Sequence, residues 1–362
     1  MKILYVVTGL GPGGAEKIVC NLADKMYEKG CEIKIVYFYG NIVSKPFYHD
    51  IEITKINLEN IFNFPKFFIR FSKFIKSYDP DVIHSHMVHA NLFTRFVRLY
   101  TPIKKLICTA HNSNEGGKCR MFLYRISHRL SDITTNVSYE ATKAFENKKA
   151  VPIGGMKTIY NGIDIEKFKF IPEARNIFLN EFNIDKKTKI LLAVGRLNEQ
   201  KDYPNLLNAI YLLKKNTNIK FKLFIVGEGH LYNEIQELIY RLNLHNDIFM
   251  LGRRNDIPYL MSAADLFILS SKWEGFGLVV GEAMACKCLV IATDCGGVAE
   301  VVGNPKFLVP PSNSYKLYEK ITYFLNLNFS NIELLKYNNR QRIVENFSFN
   351  KILNEWEIIY NG

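Results

Sequence analysis

Residues 270–303 read SSKWEGFGLVVGEAMACKCLVIATDCGGVAEVVG, and few folds accommodate that order. Gly275 and Gly277 stand just ahead of a helix-forming run, LVVGEAMA, which a short turn joins to the apolar strand LVIAT. The rest of the chain repeats the theme, with apolar strand-like runs alternating with helical patterns and turns. That alternation is the mark of an α/β protein built on parallel sheets. A length of 362 residues predicts two domains, each large enough to bury its own core.

The same stretch has the make-up of an anion site followed by a hydroxyl reader. Glycines before a helix let the backbone approach a ligand, and the first helical N–H groups lack partners inside the helix. Gly277, Leu278 and Val279 are therefore expected to cradle phosphate oxygens. Glu282 falls about one turn into the helix, placed to accept hydrogen bonds from a ribose joined to that phosphate. Glu274 lies on the preceding loop, facing whatever is attached at the other end. A nucleotide diphosphate joined to a sugar fits both positions. Two cations, Arg196 and Lys201, follow the strand KILLAV and would offset diphosphate charge, Arg bidentately and Lys as a point charge.

A second glycine-rich turn, GLGPGGAEK, follows the apolar N-terminal strand and puts Gly13 and Gly14 ahead of a helix. The strand LICTAHN delivers His111 to its carboxyl end, where ligands sit in open α/β sheets. His84, His86 and His89 cluster without a carboxylate or cysteine at ligand spacing, so a core or cleft-lining role is expected. Asp79-Pro80-Asp81 reads as a turn into a strand and not as a metal motif. Seven cysteines without paired spacing argue against both a disulfide framework and a zinc site, and point to a reducing cytoplasm.

The net charge is +12, and residues 1–164 hold 23 Lys and Arg against 14 Asp and Glu, a surplus of nine. Such a basic half suits acidic partners. Within residues 62–75, aromatic and aliphatic side chains (Phe62, Phe67, Phe68, Phe71, Phe74, Ile75) interleave with Lys66, Arg70 and Lys73, with Lys76 just beyond. At helical spacing this yields one apolar and one cationic face. Two readings stay open: a helix packed on the sheet, or an interfacial helix on anionic lipid. No run of 18 uncharged apolar residues is present, so no transmembrane helix is expected.

The glutamate pair with GFGL, EAMAC, LVIATD and GGVAEVV closely resembles the donor-binding signature of retaining, family 4 glycosyltransferases of the GT-B fold. GGAE at residues 13–16, TAH at 109–111, NGID at 161–164 and GRL with Lys201 are similar to further elements of that family. The resemblance spans the chain and implies two Rossmann-like doubly wound domains facing a central cleft, with a C-terminal helix crossing back. Its expected bounds are residues 1–165 with 347–362, a linker at 166–187, and a nucleotide-sugar domain at 188–346. It assigns Glu274 and His111 to the transferred sugar, Glu282 to the ribose, Arg196 and Lys201 to the diphosphate, and the segment around Arg253 to the nucleobase. It implies a hexosyl or N-acetylhexosaminyl donor, with UDP-sugar favoured over GDP-sugar, and neither metal nor cofactor. The implied acceptor is a glycan on a polyprenyl diphosphate, used in O-antigen, capsule or related synthesis at the inner face of the cell membrane. One departure is the turn CKCL, where relatives often carry Gly or Pro. The competing readings are a nucleotide-sugar epimerase on the same fold and a noncatalytic basic binding protein. Nucleic acid is not an expected partner, since no aromatic-basic motif for it is present.

Overall fold

The computed structural model describes residues 1–56, 64–113 and 115–362. They form two compact units, residues 1–161 with 352–362 and residues 162–351. The first unit runs β1 (Lys2–Val7), α1 (Gly14–Glu28), β2 (Glu32–Tyr37), β3 (Glu52–Lys55), α2 (Phe64–Tyr78), β4 (Val82–His86) and α3 (Val88–Val97). It continues with β5 (Leu106–Ala110), α4 (Gly117–Ser127), β6 (Ile133–Asn136), α5 (Tyr139–Asn147) and β7 (Lys157–Thr158). The second contains α6 (Ala174–Glu181), β8 (Lys189–Val194), α7 (Tyr203–Asn216), β9 (Phe221–Val226), α8 (Tyr232–Arg241), β10 (Ile248–Met250) and α9 (Ile257–Ala263). After these come β11 (Leu266–Leu269), α10 (Leu278–Ala285), β12 (Val290–Thr293), α11 (Val298–Val302), β13 (Leu308–Val309), α12 (Ser314–Leu325) and α13 (Phe329–Phe347). The last helix, α14 (Phe349–Asn361), ends in the first unit.

Both sheets are parallel throughout, in the orders β3-β2-β1-β4-β5-β6-β7 and β10-β9-β8-β11-β12-β13. The central strands are buried from end to end, because helices cover both faces of a parallel sheet. In each order the chain changes direction once, between β1 and β4 and between β8 and β11. Crevices at the carboxyl ends of such strand pairs are where α/β sheets bind ligands. Register places Tyr5 beside His84 and His86 beside Thr109, so the histidines collect at that end of the first sheet.

α2 resolves the two readings of residues 62–75 in part, with Phe62 lying outside the described residues. Phe67, Phe71 and Ile75 are buried with Phe38, Phe93 and Val97, and the Phe67 ring stands 4.4 Å from Phe93. Its apolar face is therefore core, and Lys66, Arg70, Lys73 and Lys76 remain outside. Residues 166–187, expected as a linker, fold onto the second sheet: Phe178 of α6 meets Phe224 edge-on at 4.7 Å, and Arg175 pairs with Asp265 at 2.8 Å. α14 buries Ile352, Leu353, Trp356 and Ile359, and its Tyr360 hydroxyl lies 2.7 Å from His84 Nδ1. Of the cysteines, Cys119 is exposed, Cys31 half-buried and the rest buried. No described helix is long and apolar enough to cross a membrane.

Candidate functional site

In the second unit β8 ends against a glycine pair. A Cβ on Gly227, whose φ is +146°, would collide with the Gly195 carbonyl, so the two backbones approach as only glycine permits. Beyond Gly195 the chain makes a tight turn at Glu199–Lys201, and Asp202 enters α7 from the left-handed region. This turn carries Lys201 to Glu274, with Nζ 2.5 Å from Oε1. Ser271 Oγ donates to the same oxygen at 2.7 Å, and Gln200 Nε2 donates to Oε2 at 3.3 Å. Glu274 is only 9% exposed, so three donors hold a carboxylate that water barely reaches. Gln200 and Ser271 escaped the sequence reading because neither belongs to a charged pattern.

Arg196 is the contrasting cation. It is exposed and has no side-chain partner among the described residues, which leaves its planar fork open to an anion. Gly277 begins α10 with φ +84°, and a Cβ there would stand 2.8 Å from Val298 Cγ2. Leu278 and Val279 form the first turn, and Glu282 follows, half-buried, one turn further on. A Cβ on Gly281 would overlap Cδ1 of Ile163, so a side chain there would require Ile163 to move. In the CKCL turn Lys287 takes φ +55°, a left-handed conformation that glycine adopts most readily. Arg253 is exposed, whereas its neighbour Arg254 is fastened to Asp256 at 2.6 Å and to Glu181. Turn, carboxylate, free guanidinium and helix start therefore converge around the ends of β8 and β11.

The first unit holds the other expected residues. Gly13 caps α1, and a Cβ on it would meet the Glu16 carboxylate, 3.1 Å from Oε1. The carboxylate thus sits where the helix dipole favours an anion, so the turn at Gly13 and Gly14 is already occupied by the chain's own charge. His111 follows β5, 8% exposed, with Nε2 3.1 Å from His86 Nδ1. Its backbone N–H donates to Glu115 Oε1 at 2.8 Å, and the Tyr124 hydroxyl donates to the other Glu115 oxygen at 2.7 Å. Arg95, fully buried, lies over the Tyr124 ring at 5.0 Å. Burial holds His111 down at about 4, holds His84 and His86 well below the ordinary histidine value, and raises the Glu115 carboxyl. These imidazoles are neutral near pH 7. His86 is the residue that sequence reasoning undervalued; its strand position, two after His84, was the available signal.

Asp79 and Asp81 both pair with Lys104, as a strand-entry turn should. Among the described residues no three His, Cys, Asp or Glu side chains are grouped to hold a metal. A cavity of about 400 Å³ beside β13, lined by Lys306, Pro310, Lys320 and Tyr323, contains none of the site residues.

Comparison with known proteins accords with this geometry. Residues 12–167 match the family described as Glycosyltransferase Family 4, and residues 174–346 match Glycosyl transferases group 1. The N-acetyl-alpha-D-glucosaminyl L-malate synthase of Bacillus anthracis is 23% identical, over 96% of this chain and 93% of its own length. A Campylobacter jejuni N-acetylgalactosaminyltransferase, named for a diphospho-undecaprenol acceptor, is 26% identical over 90% of each chain. Among solved structures, Anabaena HepE in complex with UDP superposes with a TM-score of 0.86 at 21% identity, covering 100% of both chains. At that identity the likeness speaks for the fold, which is GT-B, with two Rossmann-like parallel-sheet domains. With both halves matched, the chain belongs to the family 4, group 1 glycosyltransferases.

Proposed function

We propose that this glycosyltransferase moves a hexosyl or N-acetylhexosaminyl group, with retention, from a nucleotide diphosphate sugar to a glycan carried on a polyprenyl diphosphate. A UDP-sugar is the favoured donor, and the setting is surface polysaccharide synthesis at the inner face of the cell membrane. What carries the reading is the convergence of exposed Arg196, the Lys201–Glu274 pair and the start of α10 at the ends of β8 and β11. As the bond between the anomeric carbon and the diphosphate breaks, charge grows on the leaving oxygens. Arg196, Lys201 and the N–H groups of Gly277, Leu278 and Val279 stabilise it. The acceptor oxygen takes the anomeric carbon from the same face, and its proton passes to the departing diphosphate. Glu282 accepts from the ribose, Glu274 and His111 orient the sugar, and Arg253 borders the base. These cations and the helix start supply the positive charge a metal would otherwise bring. Gly13 and Gly14 serve the ligand only after Glu16 yields its place.

A lipid-borne acceptor gains support from relatives named for diphospho-undecaprenol acceptors, and a nucleotide diphosphate donor from neighbours solved with UDP. The test is a panel of nucleotide sugars scored in EDTA by thermal shift and slow donor hydrolysis. One donor should stabilise the protein and be hydrolysed without metal. Stabilisation that appears only when a divalent ion is restored would refute the metal-free part, and silence across the panel would refute the donor assignment.

A further inference from the structure

From residue 111 to 118 the chain reads HNSNEGGK, and the one acidic residue of that stretch is buried. Each carboxylate oxygen of Glu115 has a partner, the backbone N–H of His111 on Oε1 and the Tyr124 hydroxyl on Oε2. The direction of the second bond is fixed from behind. Ser85 Oγ donates to Asn91 Oδ1 at 2.7 Å, which turns Asn91 Nδ2 to the Thr109 carbonyl at 2.8 Å and the Tyr124 oxygen at 2.9 Å. An amide nitrogen only donates, so the Tyr124 proton goes to Glu115. Both oxygens of Glu115 therefore face donors, an arrangement that suits a carboxylate better than a protonated acid or an amide.

A buried carboxylate is costly unless its charge is met. Burial raises the Glu115 carboxyl, while the two donors and then the charges of Arg95 and Arg120 oppose the rise. Arg95, fully buried, donates to the Thr134 and Ser127 hydroxyls and meets no carboxylate directly among the described residues. Its guanidinium lies over the Tyr124 ring, so Arg95 and Glu115 compensate one another across that ring. Past the carboxylate, Gly116 and Gly117 take φ +107° and +88°, and a Cβ on Gly116 would overlap the Arg120 side chain. These left-handed residues turn the chain into α4.

We infer that Glu115 is the positioning residue of His111: its carboxylate ties the backbone of that histidine to α4, with Arg95 as countercharge, and so fixes where the imidazole stands. Neighbouring anchors hold other atoms, since Asn136 Nδ2 and Lys148 Nζ donate to the carbonyls of Asn112 and Ser113. The His86 ring steadies the imidazole itself, and Glu115 sets the backbone that carries it. The effect on turnover rests on the proposed sugar-facing role of His111; the clamp rests on the hydrogen bonds alone.

The experiment reads the full chain three ways: His111 amide exchange by NMR, UDP affinity by calorimetry, and slow hydrolysis of the UDP-sugar selected by the panel above. Glu115→Ala should speed exchange of the His111 amide and lower turnover about ten- to hundredfold. UDP affinity should hold, because the residues proposed for the nucleotide lie in the second unit. Glu115→Gln keeps one acceptor for the His111 N–H and should recover part of both losses. Tyr124→Phe keeps the ring beside Arg95, should show smaller losses of the same kind, and serves if the Ala variant fails to fold. In a His111→Ala background, Glu115→Ala should cost no further turnover, as expected of residues that act as a unit. An unmoved His111 amide, UDP affinity falling in step with turnover, or an undiminished loss in the His111→Ala background would each overturn the inference. Full turnover in His111→Ala is a different failure: it strikes the sugar-facing role from the proposed function, and the amide readout still decides the clamp.

Discussion

At the carboxyl ends of β4 and β5 the first unit buries His84, His86 and His111 without charge, whereas around the ends of β8 and β11 the second unit assembles Lys201, Glu274 and Arg196. Both sheets follow one plan, so the contrast lies in what each buries. The first spends its strand ends on a neutral hydrogen-bonded network: Tyr5 to Tyr360, Tyr360 to His84, His84 to Thr109, Thr109 to Thr135. The second keeps formal charge there and holds it with donors. In the proposed reaction a donor diphosphate would need that charge, whereas a sugar hydroxyl would need only aligned dipoles.

The sharpest attack on the contrast is removal of charge. Arg196→Ala and Glu274→Ala should each cut turnover about 10²–10³-fold in product-formation assays. Calorimetry should find nucleotide diphosphate affinity largely kept in Glu274→Ala and reduced in Arg196→Ala. Glu282→Ala should weaken donor binding with a smaller effect on turnover. Full activity in both Arg196→Ala and Glu282→Ala would abolish the site assignment.

Acid should separate the units next. Burial lowers the three histidines in the folded state, so below about pH 6.5 the unfolded chain binds protons that the folded one refuses. Stability of the first unit therefore falls as pH drops from about 6.5 towards 4, by up to about 1.4 kcal/mol per pH unit for each histidine. Glu115, raised by burial, pulls the other way nearer the carboxylate range. Calorimetric scans between pH 7.5 and 5 should show the first unit's transition moving down more than the second's; equal movement would erase the contrast.

Within the neutral network, His86→Leu should lower turnover about tenfold, with partial rescue in His86→Asn, because the ring stands 3.1 Å from His111 and positions it. No rescue by Asn would leave His86 a packing residue. The smallest effects belong to helix caps: Ser138 accepts from Ala141 N–H at 3.1 Å and Asn313 from Lys316 N–H at 2.9 Å. Replacing either with Ala should cost about 1 kcal/mol in chemical denaturation and leave catalysis alone.

Much of this was legible in the sequence. The alternation of strand-like and helical runs announced parallel sheets, and charged residues beside glycines at strand ends pointed to the second unit's candidate site, because charge is costly to bury and is seldom idle there. The histidine network was less legible, since a neutral buried polar group shows itself only through partners far along the chain, as His84 does with Tyr360. The α2 region misled for a related reason. Amphipathic spacing identifies an apolar face but not whether protein or lipid covers it, and Phe38 and Phe93 cover this one. Glu16 over Gly13 was likewise invisible, being a matter of side-chain conformation.

Six of the seven thiols are wholly or partly screened by the fold, and Cys119 at the beginning of α4 is the exposed one. A maleimide dye would therefore attach first at Cys119, with no engineered residue. The native chain thus comes with a labelling point one turn from Phe122, from which solvent exposure of α4 can be followed optically in real time.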